Sequence, residues 1–326
     1  MKKNGLKILL GSMLIAGATI AGTTIAKPIP HKYGQMKDGH VAKESLQQIS
    51  EDARYVQEKY TKEQYLEIVE DPYNNAKTDQ EKIAAIAARE IIFMVDRSYS
   101  MSDGDQDPTG QNRRNWTLWR SAEEAAISLF EVALALDSNG KLDVVFWDQN
   151  FKLGIVHKEI TQLAKIQKMF NKHKPRGGTP LAGALKYIYK KKLKKLLDRN
   201  EPFTVVVLTD GEPPESEKAG VFKFFRDLVS NHNLTAQGRE SLAAFSFIQA
   251  GDSRSAEDFL NKLDDDLING YTDNHGNYFP SIGIDIVDHK KDNFIFGTGT
   301  PAEMTDSNGN VSNGGPIAIF WNALFD

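Results

Sequence analysis

Cysteine is absent from this chain of 326 residues, which excludes disulfide scaffolds, zinc–thiolate centres and thiol nucleophiles together. Histidine is sparse as well: 7 scattered copies, none in the His-Glu-x-x-His spacing of a helical metal site. There is no Gly-x-x-x-x-Gly-Lys-Ser/Thr phosphate loop and no Gly-x-Ser-x-Gly nucleophile elbow. Excess positive charge is missing too, and a net charge of −4 gives no basic field to attract nucleic acid. The compositional mark of disorder is also lacking, since 40% of residues are hydrophobic and 26% charged, the proportions of an ordinary globular protein.

Apart from its beginning, the chain has no long apolar run. Lys2, Lys3 and Lys7 precede an uncharged stretch over residues 8–26, which ends in Thr24-Ile25-Ala26 and is followed by Lys27, Pro28 and Pro30. A basic start, an apolar middle and a small residue before a polar segment is the pattern of a secretory signal over residues 1–26. The stretch also approaches the roughly 20 residues needed to span a bilayer, so a retained anchor is the alternative. Its Gly, Ala and Thr content favours the cleaved signal. Either reading exports the rest of the chain: periplasmic, secreted, or anchored with the domain outside the cytoplasm. Membrane contact is expected only through this segment. An exported chain without cysteine suits a bacterial source, stabilised by its packed core.

Residues 27–40 read as a linker, and residues 41–88 as a polar helical extension. Leu46, Ile49, Ala53, Val56 and Tyr60 recur at helical spacing, with further short helices expected over 62–69 and 79–88. From residue 89 to 326 strand and helix signals alternate. Apolar runs at 90–95, 142–147, 203–208, 242–248 and 282–287 read as strands buried on both faces. Helical stripes lie between them, including Trp119, Ala122, Ala126, Leu129, Ala133 and Leu136, with a closing helix over 316–325. Such alternation predicts an α/β fold: a mainly parallel sheet covered by helices on both faces, with ligands held beyond the carboxyl ends of the strands. The Gly-, Ser- and Asn-rich residues 297–315 read as a long surface loop.

Three polar motifs fall on that rim. Asp96-Arg97-Ser98-Tyr99-Ser100 follows the first core strand, Gly177-Gly178-Thr179 precedes a helix, and Thr209-Asp210-Gly211 follows the strongest strand. Ser98, Ser100 and Thr179 offer neutral oxygens, and Asp96 and Asp210 offer two negative charges. A hard cation such as Mg²⁺ takes six oxygens and commonly keeps several waters. Held mainly by hydroxyls, it stays electrophilic and attracts a carboxylate from outside. Singly, each motif has a plainer reading: Thr179 before Pro180 suits a helix N-cap, and Asp210-Gly211 a turn.

Together, in this order, they resemble the von Willebrand factor type A family and its metal-ion-dependent adhesion site, Asp-x-Ser-x-Ser with a distant Thr and a distant Asp. The resemblance covers residues 89–326 and implies a three-layer, Rossmann-like fold. It implies that Ser98, Ser100 and Thr179 ligate Mg²⁺ or Mn²⁺ directly, with Asp96 and Asp210 acting largely through waters. It also implies a protein partner that offers an Asp or Glu side chain, and binding in place of catalysis. Residues 96–101, Thr209-Asp210-Gly211-Glu212-Pro213 and Ser246-Phe247-Ile248-Gln249 look most like the bacterial stand-alone members. Position 99 is Tyr where Gly is common, an order shared with integrin β subunits. An insertion over 103–115 departs from the family pattern.

Asp103, Asp105 and Asp107 alternate as in calcium loops, but Pro108 and Arg114 stand where an EF-hand needs Gly and Glu. In integrin β subunits an acidic residue at the position of Asp103 helps hold an adjacent ion. That one-residue resemblance leaves a second ion, Ca²⁺, and a solvated acidic loop as alternatives. The lysines over 190–195 read as a solvated helix face, and Trp116, Trp119, Trp147 and Trp321 as core. Two other functions stay open: a metal-assisted hydrolase on the same site, for which His173 is the nearest histidine, and an envelope scaffold anchored by its N-terminal helix.

Overall fold

The structure, a computed structural model, describes residues 36–37, 40–59, 78–109, 111, 114–136, 141–149, 155–211, 213–236, 239–272, 278–296 and 314–325. The N-terminal signal or anchor, the helix expected over 62–69 and most of the 297–315 loop lie outside these residues. No helix among them is long and apolar enough to cross a membrane.

The six-stranded central sheet consists of β1 (Glu90–Asp96), β2 (Leu142–Trp147), β3 (Ile155–Ile160), β4 (Phe203–Thr209), β5 (Ala243–Gln249) and β6 (Val287–Lys291). Their spatial order is β6-β5-β4-β1-β2-β3, parallel throughout except for β3, which runs antiparallel to β2 at one edge. β1 shows why: six of its seven residues are buried, and successive side chains feed opposite faces. Ile91, Phe93 and Val95 enter one core, Ile92 and Met94 the other. Such a strand is stable only with helices on both sides.

On the first face lie α1 (Lys43–Lys59), α2 (Asp79–Ala87), α3 (Leu118–Leu136), α4 (Leu163–Lys172), α8 (Asp292–Phe296) and α9 (Pro316–Phe325). The second face carries α5 (Leu181–Ile188), α6 (Glu215–His232) and α7 (Arg254–Asn269). The architecture is therefore the expected three-layer α/β sandwich. α2 begins with a capping box, in which Thr78 accepts from the Glu81 N–H and the Glu81 carboxylate accepts from the Thr78 N–H. Ile49 and Ala53 of α1, with Ile83 and Ile86 of α2, are buried in the same core as α3.

Two strand expectations need correction. The apolar residues 282–287 do not form the last strand. Ile282 and Ile286 are buried, but Gly283 between them has φ +77°, which interrupts extended backbone, and the ladder to β5 begins only at Val287. Edge strand β3 has no counterpart among the expected strands, because its sequence, Ile155-Val156-His157-Lys158-Glu159-Ile160, lacks both alternation and a continuous apolar run.

The lysine-rich segment is also less solvated than its sequence suggests. α5 passes through a π-helical turn at Tyr189–Leu193 and continues over Lys194–Asp198. Lys192 turns inward, its Nζ 2.6 Å from both Glu90 Oε1 and Asp143 Oδ2, while Lys190, Lys191, Lys194 and Lys195 stay exposed. Trp116, Trp119 and Trp147 are buried, as expected.

Candidate metal site

Chain reversal between β1 and its two neighbours puts the site where it is. From β1 the chain crosses to β2 on one side, while β4 lies on the other. This is the switch point at which open parallel sheets leave a crevice beyond their carboxyl ends. Strand register brings Asp96 level with Trp147, and Val95 with Leu208, so Asp96, Asp148 and Thr209-Asp210 share one rim.

Asp96 is fully buried and both its oxygens are engaged. Oδ1 accepts the Ser98 N–H at 2.8 Å, and Oδ2 accepts the Thr209 hydroxyl at 2.8 Å. The first bond folds the loop so that the Ser98 and Ser100 hydroxyls stand 3.1 Å apart. Ser98 Oγ lies 3.5 Å from Asp210 Oδ1, and the Ser100 hydroxyl also hydrogen-bonds Asp210. Thr179 comes from the far loop, buried, with its Oγ1 4.0 Å from where a Cβ on Gly211 would stand. Asp96, Ser98, Ser100 and Asp210 are thus joined in one hydrogen-bonded group, and the Thr179 hydroxyl lies next to Gly211, the residue after Asp210.

Two backbone hydrogen bonds bring the Thr179 loop in. The Arg176 N–H donates to Arg97 O at 2.6 Å, and the Tyr99 N–H donates to Gly177 O at 2.8 Å. Gly177 has φ +77°, and a Cβ there would lie 2.9 Å from Gln149 Cγ, so glycine is required on both counts. Sequence reasoning assigned no role to a charge group beside these contacts, in which Arg97 and Asp148 are buried and Arg176 is exposed. Arg97 Nε and Nη2 lie 3.0 and 2.7 Å from Asp148 Oδ2, and Arg176 Nε lies 2.8 Å from the same oxygen. The position of Asp148, one residue past β2 on the same rim, was the available signal. Thr209, in the same motif as Asp210, was likewise given no role although it anchors Asp96.

Electrostatics set the site's chemistry. Burial, reinforced by the charge of Asp210, pushes the Asp96 carboxyl up, and burial does the same to Asp210, with exposed Asp103 adding to it. Two buried acids facing each other are relieved by a cation between them. The donor set fits a hard one: oxygens about 2.1 Å from an octahedral ion are about 3.0 Å apart along an edge, close to the separation of the two serine hydroxyls. Among the described residues no three or more His, Cys, Asp or Glu side chains form a metal-holding group. Here the complement is hydroxyl oxygen.

The surroundings are uneven. Tyr99 is 70% exposed at the mouth of the site. On the other side an open groove of about 470 Å³ runs from Asp210 past Gly104, Asp105, Leu118 and Ala250 to Asp252. The acidic insertion is closed at its base, the Leu118 N–H donating to Asp103 O and the Asp105 N–H to Trp116 O. Asp105 is half-buried and accepts the Ser121 hydroxyl at 2.6 Å. His173 does not join the group: its Nε2 lies 2.9 Å from His157 Nε2.

Residues 91–212 match the family model described as von Willebrand factor type A domain. No curated protein sequence matches the chain. Among solved structures, the SpRpn10 VWA domain aligns at 12% identity over 65% of this chain and 98% of that one, with a TM-score of 0.41. The RO (RSR) protein of Deinococcus radiodurans aligns at 15% identity over 64% of this chain and 42% of that one, with a TM-score of 0.28. The family match spans the strand–loop, distant threonine and strand–loop elements that build the site, so it is residues 91–212 that match a von Willebrand factor type A domain, generally a protein-interaction module.

Proposed function

We propose that this domain grips a partner protein through a divalent cation, Mg²⁺ or Mn²⁺, held at the rim by Ser98, Ser100 and Thr179, with Asp96 and Asp210 behind them. One observation carries the reading: the Ser98 and Ser100 hydroxyls and two buried carboxylates from two strand ends join in one hydrogen-bonded group at the switch point of the sheet, with the Thr179 hydroxyl brought next to Gly211 from a second loop. A bound cation supplies Lewis acidity, and few direct carboxylates leave that acidity available to a visiting Asp or Glu side chain. The chain's own contribution is position. Asp96 fixes the loop through Ser98 and Thr209, Gly177 admits the loop that bears Thr179, and exposed Tyr99 offers the partner an aromatic anchor of the type enriched at binding hot spots.

Binding is favoured over catalysis because a hydrolase needs a base within reach of the reacting water. His173, the histidine nearest in sequence, has its ring engaged with His157. We further propose that the domain works outside the cytoplasm, on the strength of the basic and apolar pattern in residues 1–26.

The test is capture of partners from native envelope and medium by the full chain, with Mg²⁺ present and then with EDTA. Chelation, Asp96→Ala or Thr179→Ala should each abolish capture while circular dichroism stays unchanged. Undiminished capture in all three conditions would overturn the reading.

A further inference from the structure

The charge group beneath the site has no part in the metal-binding pattern, yet its geometry has a direction. Asp148 follows β2, Arg97 lies between Asp96 and Ser98, and Arg176 precedes Gly177, so one carboxylate oxygen gathers two arginines and ties three loops together. Arg97 and Asp148 are buried, at 5% side-chain exposure each, whereas Arg176 is 62% exposed. Both arginines also carry the backbone bond that joins their loops, Arg176 N–H to Arg97 O, and the next residues along continue the seam with Tyr99 N–H to Gly177 O. The loop bearing Thr179 is therefore held against the loop bearing Ser98 and Ser100 by two backbone bonds and a shared carboxylate.

Resting on the metal reading above, we infer that Asp148, Arg97 and Arg176 form a positioning clamp that sets the distance of Thr179 from the two serines and thereby the affinity for the cation. Arg176 is the closing half. Arg97 is fixed to Asp148 by two nitrogens inside the protein, while Arg176 reaches the same oxygen from the surface through Nε alone. Exchanging that single contact for solvent leaves the Gly177–Thr179 segment held by the two backbone bonds alone, and so loosens it without disturbing the sheet.

Charge alone argues the opposite way, which makes the inference testable. Two guanidinium groups on one carboxylate leave a net positive charge beside a cation site, so removing one should strengthen cation binding if only electrostatics matter. A clamp predicts weaker binding instead. The experiment is titration of the full-length chain with Mn²⁺ alone, read by electron paramagnetic resonance, for wild type, Arg176→Gln and Arg176→Lys. Amide hydrogen exchange at Tyr99 is measured in parallel without metal.

Arg176→Gln should bind Mn²⁺ about 10-fold more weakly, the scale found for outer-shell changes, and its Tyr99 amide should exchange faster. Arg176→Lys, which keeps the charge and a donor within reach, should recover part of both. Asp148→Asn strands a buried arginine and risks misfolding, so the surface variant carries the test. Wild-type binding with Arg176→Gln affinity equal or higher overturns the clamp alone. A wild-type chain that takes up no Mn²⁺ overturns the metal reading, and this inference falls with it.

Discussion

At the scale of single residues, the site depends on a few positions with no acceptable substitute. Gly177 is one. An alanine there combines a left-handed backbone with a Cβ only 2.9 Å from Gln149 Cγ. Gly177→Ala should lower stability by about 1–2 kcal/mol, the usual cost of a side chain at positive φ. Urea denaturation reads this, and an unchanged midpoint would show that the loop relaxes without loss. The residues of the proposed metal site were legible in the sequence because each sits at a strand end or helix start, where local pattern fixes position. Asp96, Ser98, Ser100 and Asp210 come together as that pattern implies, and the Thr179 hydroxyl lies next to Gly211. Asp148 and Arg97 were not legible in the same way. An Arg–Asp pair joined only by folding has no spacing to betray it, and Arg97 occupies a position the motif leaves free.

At the scale of elements, the helices and the four inner strands could be read because burial on one or both faces imposes a period. The edges of the sheet escaped for the same reason. β3 and β6 touch the core on part of their length, so β3 carries His157, Lys158 and Glu159, and β6 carries Asp288, His289, Lys290 and Lys291. Burial without extension misplaced β6, since Ile282 and Ile286 are interior residues of a loop.

The edge hairpin also carries a pH dependence. His157 on β3 and His173 after α4 face each other through Nε2, with Lys172, Arg97 and Arg176 the charged groups around them. Burial, then His157 and the neighbouring cations, lowers His173 from 6.5 to about 4, and burial with Lys172 lowers His157 as well. A histidine whose folded pKa is depressed takes up more protons when unfolded. Its contribution is therefore complete above pH 6.5 and lost as pH falls towards 4. Between pH 7.5 and pH 5 the wild-type urea midpoint should fall relative to that of His173→Asn, because the buried acids held above their usual range, Asp96, Asp264 and Asp292, act in the opposite direction in both proteins. A midpoint with equal pH dependence in the variant would assign the effect to other groups.

At the scale of the whole molecule, the N-terminal helices belong to the same hydrophobic body as the sheet. Ile49 of α1 is fully buried and shares the first core with Phe130 and Phe93, whose rings stack at 4.1 Å. Ile49→Ala should cost about 2–4 kcal/mol and shift the entire unfolding curve. A separate early transition for α1 would instead mark it as an appendage. Cation binding acts on the same scale, because a ligand held only by the folded form adds stability with concentration. Mg²⁺ at about 100 times its dissociation constant should add about 2.7 kcal/mol. Thermal melting with and without EDTA measures it, and identical curves would count against a bound cation.

Edge strand β3, antiparallel to β2, also carries a bulge. Pairing between β2 and β3 slips between Leu142 and Val144, and Glu159 sits beside the slip at φ +53°, its N–H turned back to Asp143 Oδ1. A free margin of a sheet is a template on which another chain can grow into fibrils, and an irregular, charged margin is a poor template. Lys158 and Glu159 are exposed there, and charges on an edge strand disfavour pairing with another copy. Straightening it, by deleting the extra residue and replacing the charges with valine, should raise the tendency to aggregate, read as increased light scattering relative to the parent chain.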